Sequence, residues 1–71
     1  MIVYDKLWKI MKAKKITTYR LREYGLCSRT VKRLKSNDNI EMKTLDKLCE
    51  ILNCNIEDIA TYIKTEENYN L

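Results

Sequence analysis

Val3, Leu7, Ile10 and Met11 recur at three- and four-residue intervals, so residues 4–14 read as an amphipathic helix with one apolar face. Asp5 suits the positive N-terminal end of that helix, and Lys12, Lys14 and Lys15 suit its C-terminal end. Trp8 lies beside the stripe and is assigned to packing against the C-terminal part of the chain. Either Thr17 or Thr18 can cap a second helix that runs to about Tyr24. Gly25, the single glycine, then supplies a left-handed residue that ends this helix without a Cβ clash. Leu26 is expected to anchor the turn in the core. Ser28 is a good N-cap for a third helix over residues 29–36, which turns Val31 and Leu34 inward together with Cys27. Ser36 to Asn39 (Ser-Asn-Asp-Asn) reads as a loop of strong turn formers.

A fourth helix follows from about 43 to 52, with Leu45, Leu48, Cys49, Ile51 and Leu52 inward, and Asn53-Cys54-Asn55 breaks its pattern. Asn55 is expected to cap a short fifth helix in which Glu57 and Asp58 complement the dipole and Ile56, Ile59 and Ile63 face the core. The pattern therefore predicts an all-α fold of five helices over residues 1–63, followed by a polar tail over 64–71.

Composition supports one small helical domain. The chain has 71 residues, 45% of them hydrophobic, with no proline and one glycine, so hairpin-turn signals and flexible linkers are scarce. Three cysteines (Cys27, Cys49, Cys54) cannot all pair internally, and without His or a C-x-x-C spacing they do not suggest zinc. Cys49 and Cys54 fall among apolar residues and read as small core hydrophobes, which fits a reducing cytoplasm. No apolar run suits a signal peptide or a membrane span. The expected localisation is cytoplasmic. No Gly-rich phosphate loop and no nucleophile with a nearby base is present, so no enzyme, cofactor or metal is expected. Cys27 lies near Arg29 and a helix N-terminus, where a thiol can be activated, but it is assigned to packing in the turn.

Charge is what turns a fold into a candidate function. Of 14 Lys and Arg, 11 lie in residues 1–35 against two acids, giving +9 there; residues 36–71 carry three bases against eight acids, giving −5, and the sum is the net +4. On a helical wheel, Val31 and Leu34 share one side of the third helix, while Arg29, Lys32, Arg33 and Ser36 share the other. Solvated charge explains any one of these cations. A cationic face on the helix after a sharp turn points instead to an anionic partner, and double-stranded DNA suits it. Arg29 and Arg33 can offer paired donors to guanine, Lys32 suits phosphate, and Ser28 and Ser36 can bond base edges or backbone. Thr17 and Thr18 place hydroxyls and free N–H groups where a phosphate could sit.

The segment Thr17 to Lys35 (TTYRLREYGLCSRTVKRLK), followed by TLDKLCEILNCNIEDI, resembles the second to fifth helices of the Cro and phage-repressor (XRE) helix-turn-helix family, in particular its short stand-alone bacterial members. The resemblance covers residues 3–63 and implies a compact lambda-repressor-like domain with helices 2 and 3 as the helix-turn-helix. It implies that the third helix enters the major groove, with Ser28, Arg29, Thr30, Lys32 and Arg33 in recognition positions and Thr18 at the phosphate-binding start of the second helix. The loop Asn37 to Asn39 would touch the DNA backbone. Leu21 stands where the family usually has a small residue, Thr18 where it often has Gln, and Glu41 and Met42 where a Ser or Thr cap is common. The expected function is a sequence-specific transcriptional regulator, a repressor acting as a homodimer, with Tyr62, Ile63, Tyr69 and Leu71 as a candidate interface. The alternative is an antitoxin-like or adaptor module that uses the same fold to bind protein.

Overall fold

The computed structural model describes residues 1–64. Among them the chain forms β1 (Ile2–Val3), α1 (Asp5–Ala13), α2 (Thr18–Glu23), α3 (Ser28–Lys35), α4 (Met42–Leu52), a 3-10 turn (Ile56–Asp58) and β2 (Thr61–Tyr62). Every helix sends leucines into one shared core. Leu7 of α1, Leu21 of α2, Leu34 of α3, Leu48 and Leu52 of α4, and Ile59 beyond them are fully buried, each contributing about 1.5–3 kcal/mol of apolar burial. Trp8, Cys49 and Cys54 pack half-buried against this cluster, the two cysteines as their apolar surroundings in the sequence suggest.

All four helices end the same way. The residue after the cap has positive φ at Lys15 (57°), Gly25 (101°) and Asn37 (55°), and Asn53 itself (50°) plays this part for α4. In each case that residue's N–H donates three positions back. The next N–H donates five back: Ile16 N to Met11 O at 2.8 Å, Leu26 N to Leu21 O at 3.1 Å, Asp38 N to Arg33 O at 2.9 Å and Cys54 N to Cys49 O at 3.0 Å. This paired bonding satisfies carbonyls that a helix end would otherwise leave open. Glycine and asparagine tolerate the left-handed region; Lys15 bears its full steric cost. At Gly25 an added Cβ would meet only the flexible end of Lys47, 2.8 Å away, so the dihedral rather than space calls for glycine.

The fifth helix is not formed. One 3-10 turn follows Asn55, whose N–H donates to the Asp58 carboxylate at 2.9 Å. The chain then extends into β2, pairing antiparallel with β1 in the register Ile2↔Tyr62 and Val3↔Thr61. Met1 and Ile63 extend this ladder, with Ile63 N to Met1 O at 2.7 Å and the Met1 ammonium to Ile63 O at 3.0 Å. Of the three isoleucines expected inward, Ile59 is buried while Ile56 and Ile63 are exposed. Thr61, Tyr62 and Ile63 are β-branched or aromatic and fit a strand better than a helix. Their partner lies some 60 residues away in sequence, outside any local pattern.

The same pairing changes the N-terminus. Val3 reaches the core from β1 rather than from a helical stripe, and α1 begins at Asp5. Tyr4, the junction, is buried. Its N–H donates to Asn37 Oδ1 at 3.1 Å and its hydroxyl to the Asp38 carbonyl at 3.1 Å. Burial, and next the Asp38 carboxylate, push this phenol above its ordinary pKa, so it stays a donor. Lys14 Nζ donates to the Leu52 carbonyl at the end of α4, and Lys6 Nζ to the Glu57 carbonyl at 3.2 Å. α4 starts at Met42 with Glu41 as its cap residue, and no side chain caps it.

Tyr62 and Ile63 are exposed at this sheet; Tyr69, Leu71 and the tail from residue 65 lie outside the described residues. No described helix is long and apolar enough to cross a membrane.

The helix ends give two substitutions of opposite sign. Lys15→Gly should stabilise the domain by about 0.5–1 kcal/mol, and Gly25→Ala should destabilise it by about 1–2 kcal/mol. In thermal melts each kcal/mol corresponds to roughly 4–8 °C for a domain of this size. Melting shifts in the same direction for both would contradict the left-handed closures.

Candidate nucleic-acid interface

The turn from α2 to α3 takes four residues, Tyr24 to Cys27. Thr17 caps α2, its hydroxyl oxygen accepting from Arg20 N at 3.2 Å, which resolves the choice between the two threonines. Thr18 is the first residue of the helix. Gly25 turns the chain and Leu26 is buried beneath it, as expected. α3 starts one residue earlier than expected: Cys27, not Ser28, holds the cap position, and its carbonyl accepts from Val31 N at 3.2 Å. No side chain caps this helix end.

Val31 and Leu34 are buried and hold α3 to the core, while Arg29, Lys32, Arg33 and Ser36 are exposed, as the helical wheel has it. α2 and α3 enclose an open cleft of about 550 Å³ lined by Thr18 and Arg22 from α2 and by Ser28, Arg29, Val31, Lys32 and Lys35 from α3. Two helical stripes face each other here. Thr18 and Arg22 are four apart on α2, and Ser28, Lys32 and Lys35 sit four and then three apart on α3, which is same-face spacing in both cases. Four cations and two hydroxyls surround the cleft, and no acid among the described residues lines it. The two ion pairs among the described residues, Arg20–Glu23 at 3.8 Å and Lys43–Glu41 at 3.6 Å, involve none of these cations.

The structure places several of the candidates away from this cleft. Thr30 sits on the other side of α3, half-buried in a second depression with Gly25, Leu26, Cys27, Lys43, Thr44 and Lys47. Arg33 is exposed but lines neither depression. Thr17 is exposed at the mouth of α2, Ser36 is the exposed C-cap of α3, and Asn39 is exposed in the loop beyond. Asn37 takes a structural role: in its left-handed conformation its side-chain oxygen holds the Tyr4 N–H.

A profile of the Cro/C1-type helix-turn-helix DNA-binding domain matches residues 6–65. The chain belongs to that family. Among solved structures it is similar to the transcriptional regulator VanUg, with a TM-score of 0.80 and 34% identity over 84% of this chain and 81% of the other. A search of curated proteins finds no match.

Within this Cro/C1-type domain, two cleft residues were not singled out by sequence, Arg22 and Lys35. Their signal was present in the same-face spacing Thr18–Arg22 and Lys32–Lys35. It is read only when α2 and α3 are wheeled together, since neither helix alone shows that the two stripes face each other.

Cys27 also departs from its expected role. It is exposed rather than packed, with its sulfur 3.3 Å from Thr30 Oγ1. The Thr30 hydroxyl, then backbone N–H groups of the first turn, stabilise its thiolate and lower its pKa, whereas burial raises that of Cys54. Cys27 should therefore be alkylated by iodoacetamide at lower pH and faster than Cys54. Peptide mass mapping between about pH 7 and 9 reads the order directly, and preferential labelling of Cys54 would overturn the assignment.

Proposed function

We propose that this protein is a sequence-specific DNA-binding transcriptional regulator that inserts α3 in the major groove and represses by occupying its site. The observation that carries the reading is the cationic, acid-free exposed face of α3, held outward by Val31 and Leu34 in a Cro/C1-type domain. The likeness to a transcriptional regulator supports the same role. Arg29 and Arg33 are positioned to offer paired donors to guanine, while Lys32, Thr17 and Thr18 suit phosphates. Ser28 lines the same cleft, Ser36 and Asn39 are exposed beyond the end of α3, and Thr30, on the other side of the helix, would meet DNA from the second depression. Asn37, whose Oδ1 already accepts the Tyr4 N–H, offers its amide NH2 to the DNA backbone. The protein acts as a homodimer, each copy reading one half of an inverted site.

Selection of bound sites from random duplexes tests this directly: the expected result is an inverted repeat whose half-site spacing reports the dimer. Titration of the selected duplex should give a slope of log affinity on log salt of about −4 to −5, as expected for four to six phosphate contacts. Absence of affinity for any duplex at low salt would overturn the reading in favour of a protein-binding module. Arg29→Ala should cost about 1–3 kcal/mol and relax preference at one base pair, whereas Lys9→Ala on α1 should leave preference unchanged. Equal, sequence-blind losses at both positions would contradict α3 as the reading helix.

A further inference from the structure

α2 carries two arginines with different surroundings. Arg20 pairs with Glu23 at 3.8 Å and lies 5.6 Å from the centre of the Tyr24 ring, so its charge is used within the helix. Arg22 forms no ion pair among the described residues and lines the α2–α3 cleft instead. Lys35 lines it from α3, again without an ion pair among the described residues. Both are exposed, so neither is placed there by the needs of the core. Arg22, Arg29, Lys32 and Lys35 share one cleft and form no ion pair among the described residues, which concentrates positive charge there. An anion seated between the helices offsets it.

We propose that the α2–α3 cleft is a clamp for one internucleotide phosphate, held by Arg22 from one helix and Lys35 from the other. The proposal rests on the DNA-binding reading and deepens it. Arg22 offers a planar fork that can take two phosphate oxygens, and Lys35 adds a compact point charge. Thr18, one turn before Arg22, has a hydroxyl able to donate to the same phosphate. Val31 supplies an apolar floor against which a deoxyribose can rest. The cleft volume of about 550 Å³ lies within the range of ordinary ligand sites and accommodates a sugar with its phosphate. The strand then passes through the space between the two helices. Arg29 and Arg33 remain free for base edges, and the clamp fixes how far α3 enters the groove.

The test uses the full chain and its selected duplex, with Arg22→Ala, Lys35→Ala and the double variant. Each single change should weaken binding by about tenfold, on the scale of one charged hydrogen bond. Each should reduce the salt slope by about 0.9 per contact removed, with base preference unchanged. One neutral methylphosphonate linkage at a single position should weaken the wild type. At that position it should make no further difference to the double variant, because the partners it removes are already gone. Circular dichroism and melting temperature should match the wild type, since both side chains are exposed. Variants that bind as tightly as the wild type would overturn the clamp while Arg29→Ala still tests the broader reading. A changed base preference would assign these residues to bases and overturn it too. If the wild type binds no duplex, the DNA-binding reading fails and the clamp with it.

Discussion

At Gly25 the chain must leave α2 and enter α3 within four residues, and the left-handed dihedral there lets Leu26 drop into the core beneath the turn. The angle between the two helices follows from that step. With α2 held by Leu21 and α3 by Val31 and Leu34, their outer stripes can only face each other across a cleft. A straighter connection would separate Thr18 and Arg22 from Ser28, Lys32 and Lys35. The cationic surface is therefore a consequence of how one backbone position is allowed to turn, together with three buried side chains below it.

The positive charge of the N-terminal half serves two purposes that sequence alone merges. Lys14 and Lys6 extend to carbonyls of the second half, at the end of α4 and in the 3-10 turn, where cations complement the negative ends of peptide dipoles. Arg20 is paired along its own helix. The remaining cations on α2 and α3 lack such partners among the described residues, and all of them but Arg33 line one cleft. It is the division between used and unused charge, rather than the net +4, that defines a surface for an anion.

Much of the fold was legible because local chemistry and tertiary packing agree over most of it. The helical stripes of Leu7 and Met11, of Val31 and Leu34, and of Leu45, Leu48 and Leu52 all turn inward as their spacing indicates. Thr17 and Gly25 mark their helix boundaries through a hydroxyl and a missing Cβ. The end of the domain was misread because Ile56, Ile59 and Ile63 imitate a helical face. Backbone pairing between residues 1–3 and 61–63 outweighs that pattern, and a contact across the whole chain leaves no local trace. Cys27 departs from its expected packing, and Asn37 gains a structural partner, for a related reason. A thiol at a cap position is turned to solvent by the helix start, and an asparagine that suits a DNA-facing loop is recruited by Tyr4.

What the sequence by itself determined is the set of four helices, the position of the sharp turn, and which side of α3 is apolar. Those depend on side-chain periodicity and on residues with unusual backbone freedom, and both are written within a few positions of where they act. The tertiary structure alone decided that β1 closes on β2, that Asn37 braces the N-terminus, and that Arg22 and Lys35 share a cleft with Thr18 and Ser28. Each of these joins groups from different elements. Their meeting depends on how the helices pack about Leu21, Leu34 and Leu48, a long-range outcome that no single stretch of residues encodes.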